Sequence, residues 1–327
     1  MIGMLQRQLN RRSAIGLGVA AAASLWRRRG VNAQATPGAG APAFPGNGSP
    51  PLLVSPEWLQ QAMEAQATPL VILDLGEWPD YRDGHIPGAI HSYWQETIER
   101  DSLVYGTVLG SPPHQAEQLA WLRRYGIGPD SHVVAYDHGD GRRAARVLWL
   151  LRYLGHTSSS ALDGGIDGWK NAKLPTSTDG NDPKSLSQDP VVKPQDNLFV
   201  DTRKLKIAMR EENTVLLDIR SDEERHDTID GQYPLGLIQD SIWTPWTDYI
   251  ADDHGRFIDS TEAQAKLTAA GVTPDRRVIL YGRFGTDPDQ MWLLLRLLGY
   301  PSVEIYDWGW VSWGTDGSTK KDLLPST

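Results

Sequence analysis

The sequence predicts an α/β protein made of two copies of one domain, each a parallel sheet with helices on both faces. Short apolar runs alternate with longer stretches of helical spacing, the pattern of parallel strands joined by right-handed crossovers. The same motifs also recur 144 or 145 residues apart. Leu70-Val71-Ile72-Leu73-Asp74 returns as Thr214-Val215-Leu216-Leu217-Asp218, Val133-Val134-Ala135-Tyr136 as Val278-Ile279-Leu280-Tyr281, and Leu154-Gly155-His156 as Leu298-Gly299-Tyr300. The stretch from Asp163 to Trp169 likewise matches Asp307 to Trp313. A period this long marks a duplicated domain and not a solenoid.

The amino terminus stands apart from this repeat. Asn10-Arg11-Arg12-Ser13-Ala14-Ile15 leads into an apolar stretch over 14–26, Arg27-Arg28-Arg29 closes it, and Ala33-Gln34-Ala35 offers an A-x-A cleavage pattern. That order resembles a twin-arginine export signal. Residues 1–35 are therefore expected to send the chain to the periplasm or the exterior, with cleavage after Ala35. The stretch falls short of the roughly 20 apolar residues that a spanning helix needs, so no stable membrane span is expected. Residues 36–51, rich in Pro, Gly, Ala and Ser, read as a flexible tether.

With 327 residues, 40% hydrophobic and 22% charged, the chain has material for two cores. Its formal charge is −9, and removal of residues 1–35, with six arginines and no acid, makes it −15. So acidic a chain is poorly suited to phosphate backbones or anionic lipid, and nucleic acid is not expected as a partner. It has no cysteine. That excludes disulfides and thiolate metal sites, and no cofactor or metal is expected.

The first copy is expected over 52–176 and the second over 197–322. Residues 177–196, with three prolines and several Asp and Ser, form the linker. The second copy contains the most informative stretch. Val278-Ile279-Leu280-Tyr281 suits a buried parallel strand, and the Leu-rich segment from Met291 to Leu298 suits a buried helix ended by Gly299 in the left-handed cap conformation. Between them lies Gly282-Arg283-Phe284-Gly285-Thr286-Asp287. A strand end, a tight loop and a helix start gather backbone N–H groups at the sheet edge where ligands collect in such folds.

Several motifs together resemble the tandem rhodanese (thiosulfate sulfurtransferase) family. In the first copy these are Asp74, Gly84-His85-Ile86-Pro87-Gly88-Ala89-Ile90, Tyr136-Asp137, and Gly164-Gly165 with Trp169. The second copy has the looser Gly236-Leu237-Ile238-Gln239-Asp240-Ser241-Ile242 and a loop matching Cys-Arg-x-Gly at Arg283 and Gly285. The resemblance implies two rhodanese-like α/β domains and a persulfide-carrying cysteine as the first residue of the second loop. Here that residue is Gly282, so no catalytic residue is intact. Asp137, at the same place in the first copy, fits the family habit of a cysteine-less first domain.

Sulfur transfer by that route needs an ionisable, polarisable nucleophile, and neither glycine nor Thr286 supplies one. The reading preferred from the sequence is a non-catalytic member with a binding or accessory role, its partner a small oxyanion or a protein. A thiosulfate-type sulfurtransferase is the alternative, and a hydrolase or metal-binding activity using Asp287 or Asp140 a further one.

The degenerate loop comprises Gly282, Arg283, Phe284, Gly285, Thr286 and Asp287. Anion binding falls to Arg283, Arg142 and Arg143, although Arg283 also reads as a surface residue paired with Asp287 or Asp289. Arg142, Arg143 and Arg146 favour an anion or an interdomain salt bridge. Asp287-Pro288-Asp289-Gln290 reads as N-cap, N1, N2 and N3, so the Asp287 carboxylate is expected on the helix amides, filling the anion site. Asp137, His138 and Asp140, and Asp252-Asp253-His254, lack the spacing of a ligand set and read as solvated loop residues. His85 is expected to hydrogen-bond backbone, and the tryptophans, Trp308, Trp310 and Trp313 among them, to pack in cores and at the domain interface.

Overall fold

The computed structural model describes residues 51–66, 69–98, 112–227, 234–317 and 321–322. The export signal and residues 36–50 of the tether lie outside the described residues. In the first copy β1 (Leu53–Val54), α1 (Pro56–Ala65), β2 (Leu70–Asp74), α2 (Trp78–Asp83) and β3 (Ile90–His91) are followed by α3 (Gln115–Arg124), β4 (His132–Tyr136), α4 (Arg142–Tyr153), β5 (Ser159–Leu162) and α5 (Gly165–Asn171). The second copy repeats the plan with β6 (Phe199–Val200), α6 (Thr202–Ala208), β7 (Thr214–Asp218), α7 (Asp222–Arg225), β8 (Leu237–Ile238) and β9 (Ile242–Trp243). It continues through α8 (Ser260–Ala269), β10 (Arg277–Tyr281), α9 (Asp289–Leu297), β11 (Val303–Tyr306), α10 (Gly309–Thr315) and β12 (Lys321–Asp322).

Each copy is a five-stranded sheet, ordered β1-β5-β4-β2-β3 in the first and β6-β11-β10-β7-β9 in the second. All pairings within them are parallel. Register repeats as well: Leu73 faces Ala135 in one copy and Leu217 faces Leu280 in the other. The small β8–β12 pair is antiparallel.

Local chemistry starts and stops the helices. Ser55 caps α1 through a Trp58 N–H at 3.2 Å, with Pro56 in the first turn. Ser221 and Glu224 form a reciprocal capping box on α7. Gly155 and Gly299, both at φ +83°, end α4 and α9, where the N–H groups of His156 and Tyr300 reach back to the carbonyls of Leu151 and Leu295.

The cores explain why α4 and α9 lack a polar face. A single apolar cluster runs through both copies, joining Val133, Leu148 and Leu151 of the first to Val278, Leu294 and Leu295 of the second. Every residue of α4 from Ala144 to Leu151 is buried, and so is α9 from Asp289 to Leu295. Those two helices pack on each other between the sheets. A separate cluster backs each sheet on its far side, around Trp169 in one copy and Trp310 and Trp313 in the other. Trp308 differs from expectation, being 38% exposed at the start of α10. The linker is tied to the first copy: Ser177 bridges His85, and the Asn181 amide donates to the Ala89 carbonyl at 3.1 Å. Among the described residues no helix is long and apolar enough to cross a membrane.

Candidate functional site

Both loops begin where the central strand ends, after Tyr136 in β4 and Tyr281 in β10. Each tyrosine braces the signature segment beside it. Ile86 N–H donates to Tyr136 Oη at 3.0 Å and Ile238 N–H to Tyr281 Oη at 3.3 Å, so the looser second signature performs the same structural task. His85 is fully buried, stacked on Tyr81 at 3.8 Å with Nδ1 2.8 Å from the Tyr81 carbonyl oxygen.

The helix after the next strand anchors each loop from below. Ile166 N–H donates to the Asp137 carbonyl at 3.1 Å, and Trp310 N–H to the Gly282 carbonyl at 2.8 Å. A Cβ on Gly165 would lie 2.5 Å from the Asp137 carbonyl oxygen, and one on Gly309 2.6 Å from that of Arg283. Both glycines have positive φ, so this close approach needs a residue without a side chain.

The two loops treat the nucleophile position differently. In the first copy the Asp137 carboxylate turns into the loop and takes four amides. Gly139 and Gly141 donate to Oδ1 at 3.0 and 3.1 Å, Arg143 and Ala144 to Oδ2 at 3.1 and 3.2 Å. Burial raises its pKa against the pull of these N–H groups. The amide cradle of the first copy is therefore filled by its own side chain.

In the second copy Gly282 leaves that volume empty of its own side chain, and Asp287 enters it from the other end of the loop. A Cβ on Gly282 would lie 2.5 Å from Asp287 Cβ and 3.0 Å from its Oδ2. The carboxylate accepts a hydrogen bond from Phe284 N–H at 2.7 Å. Burial, then the Glu224 carboxylate, push its pKa up to about 6, opposed by Phe284 N–H, Arg142 and Arg283.

Two expectations are corrected here. Asp287 does not cap the helix: α9 begins at Asp289, Pro288 stands at the cap without a side-chain bond, and the carboxylate points back into the loop. The full amide cradle is thus occupied in the first copy by Asp137 and not in the second by Asp287. A side chain at the strand end aims into the cradle, whereas one next to Pro288 reaches only its near wall.

Arg283 is not a surface residue either. It is 5% exposed, packs over Phe284 at 5.1 Å, and its Nη2 lies 3.4 Å from Asp227 Oδ1, so its ion pair is with neither Asp287 nor Asp289. The reason lies at Asp218, where Arg220 makes bonds of 2.8 and 2.7 Å and Arg225 a contact of 3.3 Å. In the first copy Gly76 stands where Arg220 does, and the loop residue His138 reaches the equivalent acid, Asp74, at 2.9 Å. His138 ties one loop to its sheet. Arg220 takes that role locally in the other copy and leaves Arg283 to Asp227.

The remaining arginines are likewise engaged. Arg142 Nε bonds Asp140 at 2.7 Å, and its guanidinium lies over Trp246 of the second copy at 5.1 Å, with Asp287 and Glu224 also acting on its charge. Arg143 bonds Glu77 at 2.7 Å and the Leu75 carbonyl at 3.0 Å. Arg146 is buried against Asp307 at 3.3 Å and Asp289 at 3.6 Å, an interdomain ion cluster. Asp252, Asp253 and His254 belong to a loop folded onto the first copy, with His254 Nδ1 3.1 Å from Asp167. Among the described residues no three His, Asp or Glu converge as a cation site. Sequence reasoning missed Asp227, Glu224 and Trp246 as neighbours of the loop, and only Glu224 left a trace, in its Ser-x-x-Glu cap spacing.

Two parallel-sheet domains of one plan, each with a loop at the end of its central strand facing the next helix, define a tandem α/β protein. Residues 55–172 and 201–316 both match the rhodanese-like domain, and the chain belongs to the rhodanese-like sulfurtransferase family. Similar proteins include the sulfur carrier protein TtuD of Thermus thermophilus, 27% identical over 280 residues that cover 82% of this chain and 95% of that one. The 3-mercaptopyruvate sulfurtransferase of Escherichia coli is 27% identical over 247 residues, 72% of this chain and 82% of its own. Among solved structures, an anaerobic ergothioneine biosynthesis enzyme from Chlorobium limicola, in complex with trimethyl histidine, aligns with a TM-score of 0.75 at 21% identity. That alignment covers 84% of this chain and 71% of the other. YnjE gives 0.74 at 24%, over 84% and 69%. These structural likenesses are likenesses of fold.

Proposed function

We propose that this chain is an exported, non-catalytic member of the sulfurtransferase family, a tandem rhodanese-like scaffold with a binding or accessory role. One observation carries the reading: the position of the sulfur-bearing residue is Gly282, and the space its side chain would fill holds the Asp287 carboxylate. A persulfide needs a thiol, and the chain has no cysteine. Asp137 fills the amide cradle of the first copy, and in the second the Asp287 carboxylate, though it takes only the Phe284 amide, stands in the side-chain space of position 282, so a partner protein fits this reading better than a small oxyanion.

The relatives' names favour the other reading, an active sulfurtransferase. It would require the sulfur to travel on a thiol supplied from outside the chain. The deciding experiment incubates the purified chain with thiosulfate and cyanide, follows thiocyanate, and weighs the intact polypeptide for added sulfur. Background thiocyanate and an unchanged mass are expected; turnover above a heat-killed control, or a mass gain of one sulfur, would overturn the proposal. Hydrolytic or metal chemistry on Asp287 or Asp140 has less support, because one is bonded to Phe284 N–H and the other to Arg142. Export rests on Arg11-Arg12, and replacing both with lysine should hold the chain in the cytoplasm.

A further inference from the structure

Where the two copies meet, a buried cluster carries unequal charge. Arg146 of α4 is 1% exposed; Asp289, which opens α9, and Asp307, which follows β11, are fully buried. Arg146 Nη1 lies 3.3 Å from Asp307 Oδ1 and 3.6 Å from Asp289 Oδ2. Its Nη2 donates to the Thr97 carbonyl at 3.0 Å, and Trp149 lies 4.7 Å beneath the guanidinium. Among the described residues, neither oxygen of Asp289, nor Oδ2 of Asp307, has a hydrogen-bond partner. Two ionised carboxylates against one guanidinium would bury a net negative charge, which is costly unless something neutralises it.

We propose that the Arg146–Asp289–Asp307 cluster is a proton-dependent clamp between the two copies, tight while the carboxylate pair retains one proton and loosened when that proton leaves. One carboxylate then pairs with Arg146 and the other stays neutral, so the seam carries no net charge. The surroundings supply no second cation among the described residues. The Trp94–Thr97 turn contributes only a carbonyl, α4 adds Tyr153 at longer range, α9 adds the neutral Gln290, and the loop before α9 adds another acid, Asp287. Asp287 is two residues from Asp289, which links the clamp to the loop of the second copy. The inference stands whether or not the chain transfers sulfur.

Burial raises both acids, Asp289 to about 7 and Asp307 well above the usual carboxylate range, with Arg146 opposing the shift and the neighbouring acids adding to it. Both folded values lie above the unfolded aspartate value of about 3.9, so folding takes up protons here. The contribution is fully present below pH about 4 and is lost in steps as pH rises, the first near 7 and the last when the pair gives up its remaining proton at higher pH.

The test compares the full chain with Asp289→Asn and Asp307→Asn, each an isosteric mimic of a protonated acid. Thermal melts from about pH 6 to about pH 9, hydrogen exchange at the starts of α4 and α9, and aspartate carboxyl carbon-13 titration are the readouts. The native chain should lose thermal stability and exchange protection over that range and show a carboxyl signal titrating near pH 7. Each Asn variant should flatten the melt profile, and Asp289→Asn should remove that signal. Native carboxyl signals that all titrate at ordinary aspartate values, or an equal pH slope in all three proteins, would overturn the clamp.

Discussion

A cysteine at Gly282 would place its Cβ 2.5 Å from Asp287 Cβ, closer than such atoms can approach. Replacing the missing nucleophile alone should therefore fail. Gly282→Cys is expected to cost about 1–3 kcal/mol of stability through overpacking and to yield no thiocyanate above the parent chain. Gly282→Cys with Asp287→Gly removes the opposing Cβ as well as the carboxylate and should restore cyanolysis of thiosulfate, while Asp287→Gly alone should not. An inactive but folded double variant would shift the deficit to Phe284 and the Arg283–Asp227 pair. Only half of this site was legible in the sequence. The missing nucleophile is plain from the loop motif, but Asp-Pro-Asp reads locally as a helix cap, and the volume vacated by Gly282 draws Asp287 the other way. The pairing of Arg283 with Asp227 crosses 56 residues and depends on Arg220 having already occupied Asp218.

At the scale of elements, the repeat spacing specified strand pairing well, because a buried parallel sheet fixes register through its apolar residues. The arginine cluster pointed to an interdomain salt bridge, which Arg146 makes, but a second grip between the copies left no such signal. The segment after the Trp246–Tyr249 turn folds over Asp252, whose Oδ1 accepts the N–H groups of His254 and Arg256 at 2.9 and 3.2 Å. This presses Gly255, at φ +73°, so close to the first copy that a Cβ would lie 1.8 Å from the Asp140 carbonyl oxygen. From the sequence Asp252-Asp253-His254 read as solvated loop residues; Asp252 and His254 instead shape and hold this clasp. Gly255→Ala should cost about 2–4 kcal/mol, from the contact and the positive φ together, and lower the urea midpoint. A midpoint within error of the parent would show that the clasp bears no load.

Across the whole molecule, the apolar cluster shared by α4 and α9 joins the two copies in one core despite their separate sheets. Removing charge from the seam is a different perturbation from removing apolar area. Arg146→Ala strips the guanidinium from two buried carboxylates, a loss of roughly 3–5 kcal/mol. Leucines 148, 151, 294 and 295 would still cross-link the copies, so the variant should unfold at a lower midpoint yet in one transition, with tryptophan fluorescence and circular dichroism coincident. If the two signals separate, the ion cluster and not the apolar seam couples the domains. A midpoint that falls with an unchanged denaturant slope would instead locate the coupling in the shared core, because the slope tracks the surface exposed when both copies open together.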